Sequence, residues 1–520
     1  MGKLLASIAE RRGDALALAD EFGETSWRAL NERVDRLIHA LRSAGLETGD
    51  TFSVLSGNRR EYFEAMAAAC QGGWRFVPVN WHCVADELAY VLDNSDSKAL
   101  LVDARFVQVA AEALKRPEAP PLLVNAVMGG EAPEGFDSYE SLLAGASPEE
   151  PEDQRAGGPM FYTSGTTGRP KGVVGGALQP GGPVELFSLI TKAAGNWVGM
   201  PEEGVSLLEG PVYHSAQWAF SFLPMLTGSS VVIRHKFDAA ETLDLIDRYG
   251  VTNVHLVPTQ FIRLLRLETS RRQSFDGSSL QLCLHGAAPC SEDVKRRMLE
   301  WWGPKISEYY GGTEGAVSTV ISAQEWLQRP GSVGRPLDTV EIRIVKDDGS
   351  LAGPGETGQI YIKNSLGIDF EYHKDPAKTE AAHLEPGVFT LGDVGYLDQD
   401  GYLFMSDRKI DMIISGGVNI YPAEIEGVLV THPAVIDAAV FGIPHPEFGE
   451  EVKAAVELSE NAESSQALAD ELIAHCREHL AGYKAPKSID FEASLPRHPT
   501  GKLFKRLLRE PYWKQAGRRI

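Results

Sequence analysis

The sequence predicts an α/β protein in two unequal parts: a large N-terminal domain of covered, mainly parallel sheets and a smaller α+β C-terminal domain. Three observations lead there. The chain has 520 residues, 43% of them hydrophobic, more than one ordinary core holds. A strand–helix–strand rhythm recurs through the first four hundred residues. After the run Gly401-Tyr-Leu-Phe-Met-Ser-Asp-Arg408 the pattern changes to short strand-like and helical segments that continue to the end.

The first element is helical, because Trp27, Leu30, Val34, Leu37, Ile38 and Leu41 fall on one helical face and Gly45 follows as a stop. A strand over 52–55, a helix over 61–70 and a strand over 75–79 begin the parallel rhythm. It recurs at 99–102, 107–114 and 122–124, then at 231–233, 240–249 and 253–256. Between 144 and 158 the chain is rich in Pro, Glu and Gly without apolar period, which reads as a surface loop. From about 411 onward the pattern is that of the small domain.

The charge balance, 50 basic against 72 acidic residues for a net −22, repels polyanions and argues against sequence-independent nucleic-acid binding. Any nucleotide has to be held by local positive groups. Cys70, Cys83, Cys283, Cys290 and Cys476 are scattered without a CxxC pair, so neither a zinc ribbon nor a disulfide framework is expected, and a reduced cytoplasm fits. The N-terminus lacks the apolar run of a signal peptide. No later segment has the roughly 18 uncharged apolar residues of a membrane span. Ala6 breaks the myristoylation pattern.

Chemistry concentrates where the apolar stretch Pro159-Met-Phe-Tyr162 runs into Thr163-Ser164-Gly165-Thr166-Thr167-Gly168-Arg169-Pro170-Lys171-Gly172. Glycines let backbone N–H groups approach an anion, hydroxyls add neutral donors and the lysine adds a mobile charge, a combination suited to a polyphosphate. It is not a Walker A loop, since Pro170 stands where the second glycine belongs and Gly172 follows Lys171. A flexible linker of the same composition needs neither the preceding apolar strand nor the Pro-Lys-Gly ending.

This loop resembles the signature of the adenylate-forming superfamily of acyl-CoA synthetases, amino-acid adenylation domains and luciferases. Four further elements follow in the family's order. Glu308-Tyr-Tyr-Gly-Gly-Thr-Glu-Gly315 is similar to its Tyr-Gly-x-Thr-Glu element, Leu391-Gly-Asp-Val-Gly-Tyr396 to its Gly-Asp element, Asp407-Arg-Lys-Ile-Asp411 to its interdomain hinge and Pro499-Thr-Gly-Lys502 to its catalytic-lysine loop. The resemblance implies an adenylation domain over 1–407, a hinge at 408–411 and a mobile domain over 412–520. Two positions depart from the family pattern, Ile410 in the hinge and Leu391 before the Gly-Asp pair.

Residue by residue, the resemblance implies that Thr163, Ser164, Gly165, Thr166, Thr167, Gly168 and Lys171 hold ATP phosphates. Glu314, beside Thr313, holds Mg²⁺, for which a carboxylate is the expected hard-oxygen ligand. Tyr310 with Gly311 and the small-residue loop Gly286-Ala287-Ala288-Pro289 wall the adenine pocket, while Asp393 and Arg408 meet the ribose. Read without that context, Glu314 is a solvated loop charge, Tyr310 a core aromatic, and Asp393 and Arg408 surface charges. Lys502 is carried over as the cation that joins substrate carboxylate and α-phosphate, offsetting charge as two anions react. The family changes half-reactions by rotating its small domain, which here presents Gly416 and Gly417 to the site; the two glycines also read as a simple turn.

The segment Gly210–Phe220 matches the family's acyl-pocket wall, with His214 at the gate and Trp218 and Phe220 narrowing it; Phe220 reads equally well as packing a helix start. No Asp or Glu lies between Pro211 and Phe222 to pair with an α-ammonium group, so an unaminated acid is expected. Tyr483 and Lys484, in a turn that continues to Lys487, resemble an element that helps hold CoA. The expected activity is thus acyl-CoA synthesis from an acid, ATP and CoA. The alternatives are transfer to an amine, as in amide ligases of the coronafacate-ligase type, and a catalytically silent nucleotide-binding regulator. The sequence is compatible with a homodimer and does not fix the oligomeric state.

Overall fold

A helix buried on every side organises the larger domain. In Arg60–Gly72 every residue from Glu61 to Gly72 is buried, as expected for a helix whose alanines and aromatics leave no polar stripe. The computed structural model describes residues 4–163, 169–176, 179–408, 411–416, 418–459, 461–497 and 503–515, with the side chains of 407 and 408 outside the description. One buried cluster joins this helix to Trp27, Val34 and Ile38 of the Trp27–Ser43 helix and to Trp218 and Phe222. Ser26 caps that second helix, its hydroxyl accepting from the Ala29 amide at 3.2 Å. Glu64 is matched by Arg33 at 2.6 Å and the Tyr139 hydroxyl at 2.8 Å, so the interior carries a satisfied carboxylate.

Two sheets flank this core. The first has six strands, with Asp137–Ser138, Val124–Met128, Ser97–Asp103, Thr51–Leu55, Arg75–Val79 and Gly158–Pro159 adjacent in that order and all parallel. The strand expected at 122–124 begins only at Val124, because Leu123 is exposed and its amide already bonds the Lys98 carbonyl. The expected surface loop at 144–158 is only partly on the surface. Ala156 and Gly157 are buried, and a Cβ on Gly157 would meet the Trp74 carbonyl at 2.1 Å.

The second sheet has fifteen strands and is parallel through Leu16–Asp20, Ser230–Ile233, Val205–Leu208, Asn253–Leu256, Leu282–His285 and Ile306–Gly312. Beyond Gly312 the expected parallel architecture gives way to antiparallel pairing, from Ala316–Ile321 through Leu403–Arg408. Some of these partners are joined by a short turn and others lie far apart, as where Ser332–Pro336 pairs with Leu403–Arg408. The strand Val340–Val345 buries alternate residues, the mark of a sheet with one wet face.

The small domain has a five-stranded sheet built on the Val435–His445 and Gly449–Leu458 pair, with Ile413–Ser415, Val418–Ile420 and Ser488–Glu492 beside it. Its core gathers Ile413, Ile425, Val440, Val456 and Leu472. The last strand of the large sheet ends at Arg408 and the first of the small sheet begins at Ile413; Ile410 lies outside the described residues. No described helix is long and apolar enough to cross a membrane.

Candidate active site

Two antiparallel strands flank the glycine- and hydroxyl-rich segment. Phe161–Thr163 and Lys171–Gly175 run antiparallel with Thr163 opposite Lys171, and Phe370–Tyr372 pairs on the other side. Lys171 therefore opens a strand, whereas the lysine of a Walker A loop opens a helix. Tyr162 donates to Asn94 Oδ1 at 2.7 Å and Tyr90 to the Pro170 carbonyl at 3.2 Å, which fixes the hairpin at both shoulders. Ser164, Gly165, Thr166, Thr167 and Gly168 lie outside the described residues.

A second turn faces this hairpin. The strands Ile306–Gly312 and Ala316–Ile321 enclose Thr313, Glu314 and Gly315. Glycine is required at 311, where a Cβ would sit 1.9 Å from the Ala316 carbonyl oxygen, and Ala316 itself holds φ at 55°. The Thr313 and Ser215 hydroxyls are 2.9 Å apart. Tyr372 donates to Glu314 Oε1 at 3.1 Å, and the Lys171 ammonium lies 5.2 Å from the same ring's centroid. Lys378, paired with Asp375 at 2.9 Å, stands beside Lys171. Burial, and then this second cation, lower the Lys171 pKa. A lysine and a carboxylate thus meet at one tyrosine with a second lysine beside the first, an arrangement chemically able to take phosphate oxygens on one side and a hard cation on the other.

Strand alternation divides the two neighbouring tyrosines. Tyr310 joins the cluster of Val173, Ile362 and Phe389, and its hydroxyl donates to Asp393 Oδ2 at 2.9 Å. Asp393 is in backbone register with Arg408, whose side chain lies outside the described residues. Tyr309 instead packs against the Gly286–Ala288 loop, where a Cβ on Gly286 would come within 2.8 Å of its ring and Ala287 holds a left-handed φ of 66°. A non-glycine residue held there over a neighbouring site is stored strain.

The helix Ser215–Met225 starts after His214 and places Trp218 and Phe220 on different faces. Two residues along a helix turn the side chain by about 200°. Phe220 stacks on His255 with centroids 5.1 Å apart and meets Tyr309 edge-on at 5.0 Å. Trp218 packs against Phe161 at 5.6 Å and Phe222 at 5.8 Å in the main core. The structure brings His214 to the helix start and Phe220 to Tyr309, and does not bring Trp218 with them. Gln217 donates to His255 Nδ1 at 2.9 Å, so His255 Nε2 donates to the Tyr309 oxygen at 3.1 Å. Burial pulls the His255 pKa down to about 3, which keeps it neutral. The carboxylate nearest in sequence, Glu209, is buried against the Thr242 hydroxyl and raised to about 8 by burial.

In the small domain, Gly416 has φ 59°, Tyr483 is exposed, and Lys484 binds both oxygens of Glu424, at 2.8 and 2.7 Å. Gly417 and Lys502 lie outside the described residues. Sequence reasoning passed over Tyr372, Lys378, Ser215, His255 and Tyr309. Only Tyr309 had a signal, its place beside Tyr310 in a two-residue period; Tyr372 reaches Glu314 from 58 positions further along the chain.

The AMP-binding enzyme family matches residues 5–368, and its C-terminal domain matches residues 424–502. A feruloyl-CoA synthase from an Amycolatopsis species is 33% identical over 494 residues, covering 92% of this chain and 92% of its own. Among solved structures, the anthranilate CoA ligase AuaEII in complex with anthranoyl-AMP superposes with a TM-score of 0.88 at 25% identity, over 99% of this chain and 98% of that one. The amide bond synthetase McbA from Marinactinospora thermotolerans superposes with a TM-score of 0.83 at 27% identity, over 98% of this chain and 99% of its own. With both domains matched in order, this chain belongs to the AMP-binding enzyme family of adenylate-forming ligases.

Proposed function

We propose that the chain activates an unaminated carboxylic acid with ATP and then passes the acyl group to CoA. The observation that carries this reading is the meeting of Lys171 and Glu314 at Tyr372, with Lys378 beside Lys171, together with the Tyr310–Asp393 pair. In the first half-reaction a carboxylate oxygen of the acid attacks the α-phosphorus, the bond from that phosphorus to the α,β-bridging oxygen breaks, and pyrophosphate leaves with that oxygen. In the second, the CoA thiol loses its proton, its sulfur attacks the acyl carbon and AMP departs.

Two anions meet in the first step, so cations on the phosphates lower its barrier most. Lys171 and Lys378 supply two from the large domain, and Lys502 supplies a third from the small one when that domain rotates about 408–411. Glu314 and the Thr313 hydroxyl are hard-oxygen donors that fit Mg²⁺, which neutralises phosphate charge when bound. Tyr310, Gly311 and the Gly286–Ala288 loop hold the adenine; Asp393 and Arg408 hold the ribose. Thr163 to Gly168 hold the phosphates.

His214, Phe220 and Tyr309 bound the acid site. The stacked rings and the lack of any Asp or Glu between Pro211 and Phe222 support a compact, unaminated acid, and the feruloyl and anthranilate ligases support an aromatic one. CoA reaches the adenylate past Gly416 and Gly417, with Tyr483 and Lys484 on its path. The five unpaired cysteines support action in the reducing cytoplasm.

Pyrophosphate release across a panel of aryl, alicyclic and fatty acids tests the first step. Release with none of them would overturn the reading. The likeness to McbA supports a second acceptor, an amine, and product masses with CoA and then with amines separate thioester from amide. Lys502→Ala is expected to slow adenylate formation by on the order of 10³-fold while still forming thioester from a supplied acyl-adenylate. Equal loss of both steps would remove the rotating-domain mechanism.

A further inference from the structure

The small domain carries a group of imidazoles that the ligase reaction does not use. In the helix Gln466–His479, residues 475, 478 and 479 share one face near the C-terminal end. One ligand atom from each of His475, Glu478 and His479 lies within 4.8 Å of the other two. The His475 and His479 ring centroids are 4.5 Å apart.

Hydrogen bonds fix the tautomer of both rings. Thr431 spends its hydroxyl hydrogen on the Val428 carbonyl at 2.7 Å, so its oxygen, 2.9 Å from His475 Nε2, accepts from that nitrogen. His475 Nδ1 keeps its lone pair. His479 Nδ1 donates to the His475 carbonyl at 2.8 Å, so His479 Nε2 keeps its own. In metal sites an outer acceptor on one imidazole nitrogen orients the other toward the ion in this way. His432, the third imidazole of the group, is committed differently: its Nδ1 accepts from the Ala434 amide and its Nε2 donates to Glu471.

We propose that His475, Glu478 and His479 form a binding site for a divalent transition-metal ion of the zinc class on the surface of the small domain. Two imidazoles and a carboxylate suit Zn²⁺, Co²⁺ or Ni²⁺ and disfavour Mg²⁺, which separates this site from the hard-oxygen donors around Glu314. Three protein ligands leave a fourth position to water. The ion sits where the terminal carbonyls of the helix carry partial negative charge, on a chain of net charge −22. An ion here ties down the last turn of the helix, four residues before Tyr483.

The test is a calorimetric titration of untagged, metal-stripped, full-length protein with Zn²⁺ in excess MgCl₂. The expected result is one equivalent bound, weakened at least about tenfold in His479→Ala and retained in His432→Gln. Should His479→Ala fail to fold, Glu478→Gln, altered at an exposed carboxylate, is expected to weaken binding in the same sense. Equal isotherms for the wild type and the ligand variants would overturn the site. So would a loss in His432→Gln as large as in His479→Ala.

Discussion

Glu308 and Glu314 stand six residues apart on one strand and turn, in opposite surroundings. Glu308 is buried; Lys295 ion-pairs with it from a fully buried position over the Trp326 ring. Burial raises the Glu308 pKa and Lys295 works against that rise. Glu314 is partly open, touched by the Tyr372 hydroxyl and faced by Lys171. The first carboxylate is closed to any ligand and fixes the strand that bears Tyr309 and Tyr310. The second is available because the turn lifts it out of the sheet. One short stretch thus holds a buried ion pair at one end and, at the other, the groups proposed to hold ligand, and burial with a matched cation separates the two.

Four measurements bear on this contrast. Lys295→Met leaves Glu308 as a lone buried charge and is expected to cost about 3–5 kcal/mol of stability in urea denaturation, with KM for ATP unchanged in the folded fraction. The double variant Lys295→Met with Glu308→Leu should recover most of that loss. A change in KM without a change in stability would place Lys295 in the site instead. Glu314→Gln should do the reverse, slowing pyrophosphate release on the order of 10²-fold with an unchanged unfolding midpoint.

Glu209 sharpens the comparison, being buried against the Thr242 hydroxyl with burial outweighing the nearby Arg234 charge. Its unfolded form releases its proton near about 4.3 and its folded form near about 8, so its contribution to stability falls as pH rises through that window. Glu209→Gln is expected to flatten the fall of the urea midpoint between those two pH values. An unaltered slope would mean that Glu209 is charged in the folded state. The smallest effect is expected of Tyr372→Phe, which removes one hydrogen bond to Glu314 and should raise KM for ATP by about threefold to tenfold with little change in stability.

Much of the larger domain was legible because its helices and parallel strands carry their own periodicity, as the 27–41 pattern and the 253–256 strand illustrate. The antiparallel strands after Gly312 were not, since partner choice there depends on short turns between segments of similar composition. Trp218 and Phe220 were read together from their proximity in sequence. The helix sends one to the core and the other to Tyr309.

Linear order alone was enough for the family, the fold class and the short glycine- and charge-bearing elements, because close approach to phosphate demands particular residue types at particular spacings. Folding added the partners of those elements. Tyr372 meets Glu314 and Lys171 only because the 370–372 strand pairs with the hairpin. His475 keeps one nitrogen open only because Thr431, on another segment, takes the bond from the other. Such contacts join residues far apart in the chain through pairing and packing, for which neighbouring residues leave no local trace.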